Sequence, residues 1–126
     1  MINNSPQNLN QRNLSVFDSA VIPNISIQNY LTRIMRFSRT SSRSLIMSLA
    51  YLDRITNRRE NNITLTRHNV HRLILTAIML AAKFYDDIHY DNNTWSRIGG
   101  INANEINRLE TNFLELIEYN LNINTN

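Results

Sequence analysis

The feature that most constrains this chain is the stretch from Arg67 to Phe84, whose apolar residues cover nearly every direction around a helix axis. These residues are Val70, Leu73, Ile74, Leu75, Ala77, Ile78, Met79, Leu80, Ala81, Ala82 and Phe84. A helix that is apolar all round is buried on all sides. At this length it extends about 27 Å, roughly the span of a small domain. The sequence therefore predicts a central helix with the other helices packed around it.

Two amphipathic helices are predicted before the central one. The first runs from Ser26, a suitable N-cap, to Phe37. The second runs from Arg43 to Asn57, and Thr66 is expected to cap the central helix. The positions expected to face the core are Ile27, Tyr30, Leu31 and Ile34 in the first, and Leu45, Leu49, Leu52 and Ile55 in the second.

Two further helices are predicted after the central one. A short helix from Thr94 to Ile98 ends at Gly99-Gly100, and Asn102 with Glu105 resembles a capping box at the start of the last helix. That helix runs from Ala103 to Tyr119, with a buried stripe of Ile106, Leu109, Phe113, Leu116 and Ile117. No strand pattern competes, so the predicted fold is all-α, with five helices.

The N-terminal part of the chain is predicted to be an extension of the main domain. Residues 1–13 are polar and are expected to be disordered, whereas Leu14 to Ile22 is amphipathic enough for one or two helical turns. Pro23 interrupts this pattern, so the predicted division is an extension at 1–22 and a main domain at 23–123.

Composition excludes several classes of protein. The chain has no cysteine, which removes disulfides, thiolate zinc sites and cysteine nucleophiles. Because it has neither an apolar run of about 18 residues nor a signal-peptide core, we expect an intracellular protein without a membrane segment. The net charge of +3 is scattered among arginines, which argues against nucleic-acid binding.

No catalytic or cofactor motif is present. The serines lie in predicted caps and linkers, and the central helix is too apolar to serve as a recognition helix for DNA. His68 and His71 share a helix face at i, i+3, which makes a metal site conceivable, but we favour a half-buried His71 beside solvated acids. On spacing alone, Lys83 is a cation that complements a helix dipole and Glu110 an exposed helix acid. We predict no cofactor, no metal and no small-molecule ligand.

From Pro23 onward the sequence resembles a single cyclin box, most closely that of the P/U-type cyclins. The segments that carry the resemblance, in family order and spacing, are PNISIQNYLTRI (23–34), LAYLDRIT (49–56), LTRHNVHRLILTAIMLAAKFYDD (65–87), WSRIGGI (95–101) and RLETNFLELIEYNLNI (108–123). The resemblance implies a five-helix cyclin box with a central third helix, in agreement with the pattern of apolar residues.

The resemblance also implies a function. It implies a regulatory subunit, not an enzyme, that binds and activates a cyclin-dependent Ser/Thr protein kinase in the nucleus or cytoplasm. Lys83 and Glu110 match the family's kinase-binding lysine and glutamate, and Asp53 matches a structural aspartate. Asn24 stands where the family's arginine would pair with that aspartate, and the substrate-docking motif of cell-cycle cyclins is absent. The alternative is a cyclin-box scaffold, or a transcription-associated adaptor, that activates no kinase.

Overall fold

The computed structural model describes residues 15–123, apart from the Arg59 side chain, and contains five α-helices and no strand within that range. The helices are α1 (Ile27–Ser38), α2 (Ser42–Asn57), α3 (Val70–Tyr85), α4 (Asn92–Gly99) and α5 (Ala103–Leu116), with a 3-10 turn at Arg59–Asn61. The all-α prediction is confirmed, and the predicted helices occur in the predicted order.

Helix α3 is the axis of the fold, as predicted. Eleven of its sixteen residues are buried, and α2 packs along it most extensively, with α1 and α5 on its other sides. Helix α4 packs against α1 and α5. The all-round apolar character of α3 therefore reflects contact with several helices at once.

The start of α3 differs from the prediction, because the helix begins at Val70 and not at Arg67. Residues 67–69 form a turn in which the Asn69 side chain accepts a hydrogen bond from the Thr66 N–H (2.8 Å) and donates one to the Thr64 carbonyl (2.9 Å). The Thr66 hydroxyl accepts a hydrogen bond from the His68 N–H (3.2 Å), and Thr66 is not the N-cap of α3. Such local side-chain bonds to the backbone compete with helix formation.

The buried face of α2 matches the prediction only in part: Leu52 and Ile55 are buried as predicted, but Leu49 is not. Leu49 is 52% exposed, whereas the small residues Ser44 and Ser48 are fully buried and lie in the helix that packs along α3. Their hydroxyls bond the Ala81 carbonyl (3.4 Å) and the Leu45 carbonyl (2.6 Å), which satisfies them inside the core. Small side chains let two helices approach closely. The face of α2 that carries these serines therefore packs on α3, and Leu49 stays exposed.

The helix ends are set by side-chain caps. Ser26 and Asn102 accept bonds from the backbone N–H groups of Asn29 (3.1 Å) and Glu105 (2.7 Å), as expected of N-caps. The second half of the predicted capping box does not form, because the Glu105 carboxylate pairs with Arg72 of α3 (2.5 Å). The last helix ends at Leu116 and not at Tyr119, which has a positive φ.

The predicted helical turns at Leu14–Ile22 are wrong over the described residues 15–22, which contain a turn at 16–17. The Ser15 N–H bonds the Asp18 carboxylate (2.8 Å), and the Phe17 N–H bonds the Ser15 hydroxyl (3.2 Å). Phe17 is nevertheless buried, with its ring 6.0 Å from that of Phe113. The predicted disorder of residues 1–13 lies outside the described residues, and the domain boundary at Pro23 stays a prediction.

Candidate functional site

The fold brings Lys83 and Glu110 together. Lys83 lies in the last turn of α3 and Glu110 lies in α5, and the lysine Nζ is 2.8 Å from the glutamate Oε2. Their side chains are 25% and 20% exposed, so each is partly shielded yet reaches the surface. A pair at this depth is less screened by solvent than a surface pair.

Two asparagines complete the cluster. The Asn92 carboxamide oxygen accepts a hydrogen bond from Lys83 Nζ, and its nitrogen donates to Glu110 Oε1 (2.7 Å) and to the Asn107 side-chain oxygen (2.7 Å). We call these four residues, Lys83, Asn92, Asn107 and Glu110, the polar cluster. It joins α3, α4 and α5. Sequence reasoning missed Asn92, because a polar residue at the first position of a short helix gives no periodic signal.

Local structure at the start of α4 places Asn92. Asp91 is the N-cap of α4, and its carboxylate accepts a bond from the Thr94 N–H (2.9 Å). Hydrogen bonding from Thr94 lowers the pKa of the Asp91 carboxyl, and the positive charges of Arg97 and Lys83 act in the same direction. An ionised cap stabilises the helix N-terminus and therefore the position of Asn92, which follows it directly.

A second carboxylate fixes the end of α3. The Asp86 carboxylate, at the C-cap of α3, accepts bonds from the Ser41 N–H (3.2 Å), the Ser41 hydroxyl (2.6 Å) and the Ser44 hydroxyl (2.8 Å). Burial acts to raise the pKa of this carboxyl, but the bonds from Ser41 and Ser44 outweigh it and the pKa is lowered. The C-terminal end of α3, which carries Lys83, is thus tied to the start of α2.

Apolar side chains lie next to Lys83 along the chain. Phe84 is 48% exposed and Ile88 is 88% exposed, although both are large hydrophobic residues. The Phe84 ring contacts the Tyr85 ring edge-on, with 4.9 Å between their centroids. A fixed pair of opposite charges near exposed apolar side chains has the character of a binding surface, since interface cores combine apolar area with a few placed polar groups.

Asp53, the other residue singled out in the sequence, is exposed and lies outside the polar cluster. Its carboxylate accepts a hydrogen bond from the Asn57 side chain (2.9 Å) in the same helix. Its neighbour Arg54 instead reaches across the fold and donates to the carbonyls of Asn120 (2.5 Å) and Asn122 (3.4 Å). The structural role assigned to Asp53 stays a prediction.

The two histidines considered as metal ligands both contact backbone. His68 Nδ1 lies 3.0 Å from the Ser19 carbonyl, and His71 Nε2 lies 2.7 Å from the Ile25 carbonyl. Across the described range, no group of three or more metal-ligating side chains comes together. In the same range, no helix has both the length and the apolar character that crossing a bilayer requires.

Comparison with known proteins shows to which family this chain belongs. A family model described as Cyclin matches residues 2–121. Cyclin-U4-1 of Arabidopsis thaliana is 40% identical over 113 residues, which cover 90% of this chain and 55% of that protein. Cyclin-P4-1 of Oryza sativa subsp. japonica is 42% identical over 110 residues, which cover 87% and 51%. The PHO85 cyclin-like protein psl1 of Schizosaccharomyces pombe is 34% identical over 106 residues, which cover 84% and 44%.

The described residues therefore form an all-α module built around a central helix, and a family model for cyclins matches nearly the whole chain. The chain belongs to the cyclin family, and the relatives it matches are P- and U-type cyclins, as the sequence resemblance indicated. It spans about half the length of the curated relatives it matches.

Proposed function

We propose that this chain binds a cyclin-dependent Ser/Thr protein kinase and activates it, with Lys83 and Glu110 at the centre of the contact. Membership of the cyclin family supports the class of partner, and one relative is named as PHO85 cyclin-like. The observation that carries the proposal is the Lys83–Glu110 pair, held at 2.8 Å and partly exposed where α3 meets α5.

The proposed mechanism is positional. The pair would hold the C-helix of the kinase inward, which completes the kinase's own Lys–Glu ion pair and helps to order its activation loop. Phe84 and Ile88 would supply apolar area around this contact and exclude water from it. Charged groups are worth more in such a water-poor contact than on an open surface.

The arginines support a protein partner over a nucleic acid. Arg58 and Arg72 pair with Glu118 (3.0 Å) and Glu105 (2.5 Å), and Arg43 lies over the Tyr85 ring (4.8 Å). Arg33 donates to the carbonyls of Ile98 (2.8 Å) and Arg97 (3.1 Å). Guanidinium groups that are engaged within the protein are less available for phosphate, whereas nucleic-acid binders concentrate free cations on one face.

The test is titration of the purified protein with a cyclin-dependent kinase, followed by assay of kinase activity. We expect Lys83→Ala and Glu110→Ala each to weaken binding by about 2 kcal/mol or more, which is about 30-fold in Kd. Kinase activity at saturating wild-type protein should rise well above that of the kinase alone.

The matched control is the other ion pair that joins α3 to α5. Arg72 and Glu105 are 20% and 19% exposed, much like Lys83 and Glu110, but Arg72 lies eleven residues earlier, about 16 Å along α3. Arg72→Ala should lower stability without changing Kd for the kinase. Equal effects of Arg72→Ala and Lys83→Ala on Kd would contradict the proposed contact. Binding without activation would favour the scaffold alternative.

A further inference from the structure

Asn92 is the residue through which the polar cluster is connected. It is the first residue of α4, and its side chain bonds to Lys83 in α3 and to both Asn107 and Glu110 in α5. Asn92 is also partly buried. An asparagine needed only to start α4 would not require these bonds, because Asp91 already caps that helix.

Within the polar cluster, Asn92 uses both of its side-chain N–H groups. A carboxamide has two N–H bonds, and those of Asn92 go to Glu110 Oε1 and Asn107 Oδ1. Lys83 uses two of its three N–H bonds, on Asn92 and on Glu110 Oε2. What remains for a partner is one ammonium N–H together with lone pairs on the Glu110 carboxylate.

Lys83 is the side chain whose conformation these bonds restrict most. A free lysine side chain has much rotamer entropy to lose when it is fixed. Contacts with both Asn92 and Glu110 restrict Lys83 before any partner arrives. An interaction arranged in advance binds more tightly, because less ordering remains to be done in the complex.

We propose that Asn92 is a positioning residue for the kinase contact: its carboxamide holds Lys83 and Glu110 in the arrangement that the partner binds. This inference rests on the proposed function, because it assigns a role to a third residue at the same contact. Asn92 acts through the pair, so its effect on binding depends on the pair being present.

Asn92→Asp is the variant that tests this role most directly. Aspartate keeps nearly the same shape and can still accept from Lys83, but it cannot donate to Glu110 or Asn107. It also sets a second carboxylate beside that of Glu110. An acidic residue is favourable in the first turn of a helix, which offsets part of the lost bonding, and thermal unfolding checks that the variant is folded at the temperature of the binding assay. Asn93→Asp is the control, because it adds the same charge one residue later at an exposed position.

We expect Asn92→Asp to weaken binding of the cyclin-dependent kinase by about tenfold or more, and Asn93→Asp to change it by less than about twofold. Asn92→Ala should also weaken binding. In a Lys83→Ala, Glu110→Ala background, Asn92→Asp should have no further effect on Kd, because there is no pair left to position. A residue with a purely structural role would give the same loss in both backgrounds.

The outcomes separate this inference from the proposed function. Loss of binding in Lys83→Ala together with wild-type affinity in Asn92→Asp overturns the inference alone. A loss in Asn92→Asp that persists in the background lacking Lys83 and Glu110 also overturns it. Wild-type affinity in the Lys83→Ala, Glu110→Ala protein overturns the proposed contact, and the role of Asn92 falls with it.

Discussion

Gly99 in α4 packs directly against Leu75 in α3: a β-carbon built on Gly99 would lie 2.3 Å from the Leu75 Cδ2 atom. Leu75 is fully buried, so it has little room to move aside. The Gly99 carbonyl also accepts a hydrogen bond from the Tyr30 hydroxyl (2.6 Å), and burial raises the pKa of Tyr30 to about 12, so the phenol stays a donor. This close approach sets α4, and with it Asn92, against the bundle.

Gly99→Ala is therefore expected to lower the free energy of unfolding by about 1–3 kcal/mol through overpacking. Urea unfolding followed by circular dichroism measures this. The loss should be smaller when Leu75 is first changed to Val, because valine lacks the δ-carbons that the new methyl group would meet. A loss of the same size in both backgrounds would place the cause elsewhere than at this contact.

Asp86→Asn is expected to lower stability by about 1 kcal/mol at neutral pH, because an uncharged carboxamide keeps only one of the two oxygens that accept from Ser41 and Ser44. The folded protein lowers the pKa of Asp86 below its ordinary 3.8. Ionisation therefore stabilises the fold above that pH, and this contribution is lost as the pH falls through the lowered value.

The difference in stability between wild type and Asp86→Asn should consequently be largest above pH ~4 and should shrink in more acidic solution. Thermal unfolding at a series of pH values measures it. Asp87→Asn is the control, because Asp87 is the exposed neighbour and carries the same charge. A difference that does not depend on pH would show that the charge of Asp86 is not what matters.

Tyr51→Phe is expected to loosen the segment that follows α5. The Tyr51 hydroxyl donates to the Leu121 carbonyl (2.6 Å), and burial raises the pKa of this phenol, so it remains protonated. Removing it should lower stability by about 1 kcal/mol. Hydrogen exchange should accelerate at the Ile123 amide, which bonds the Tyr85 hydroxyl in the same segment (3.0 Å).

The control for this change is Tyr119→Phe, at a side chain that is 62% exposed. It removes the same hydroxyl from the same region without touching the contact with Leu121. Equal exchange rates at Ile123 in wild type and Tyr51→Phe would contradict an anchoring role for Tyr51.

The comparison of α2 with α3 shows how far sequence reasoning reaches. In α3, almost every direction around the axis was apolar, and all the apolar positions named in the sequence are buried except Val70 and Phe84. In α2, leucine spacing indicated a stripe through Leu49, but the structure buries Ser44 and Ser48. Periodicity ranks residues by hydrophobicity, whereas packing also depends on side-chain size and on whether a buried hydroxyl finds a carbonyl.

Only part of the candidate site could be predicted from the sequence. The family resemblance pointed to Lys83 and Glu110, and the fold places them 2.8 Å apart. Nothing local in the sequence pointed to Asn92, because its partners lie 9, 15 and 18 residues away and belong to two other helices. Arg54 likewise bonds carbonyls 66 and 68 residues away, while the neighbouring Asp53 bonds within its own helix.

The pattern of residues along the chain was enough to predict the class of fold, the central position of α3, the caps at Ser26 and Asn102 and the glycine that ends α4. Each of these depends on the period of the helix or on bonds between residues near in the chain. The burial of Ser44 and Ser48 in α2 and the closure of the polar cluster around Lys83 required the packing of the whole chain. Those features depend on which distant groups come into contact, and a one-dimensional pattern does not contain that information.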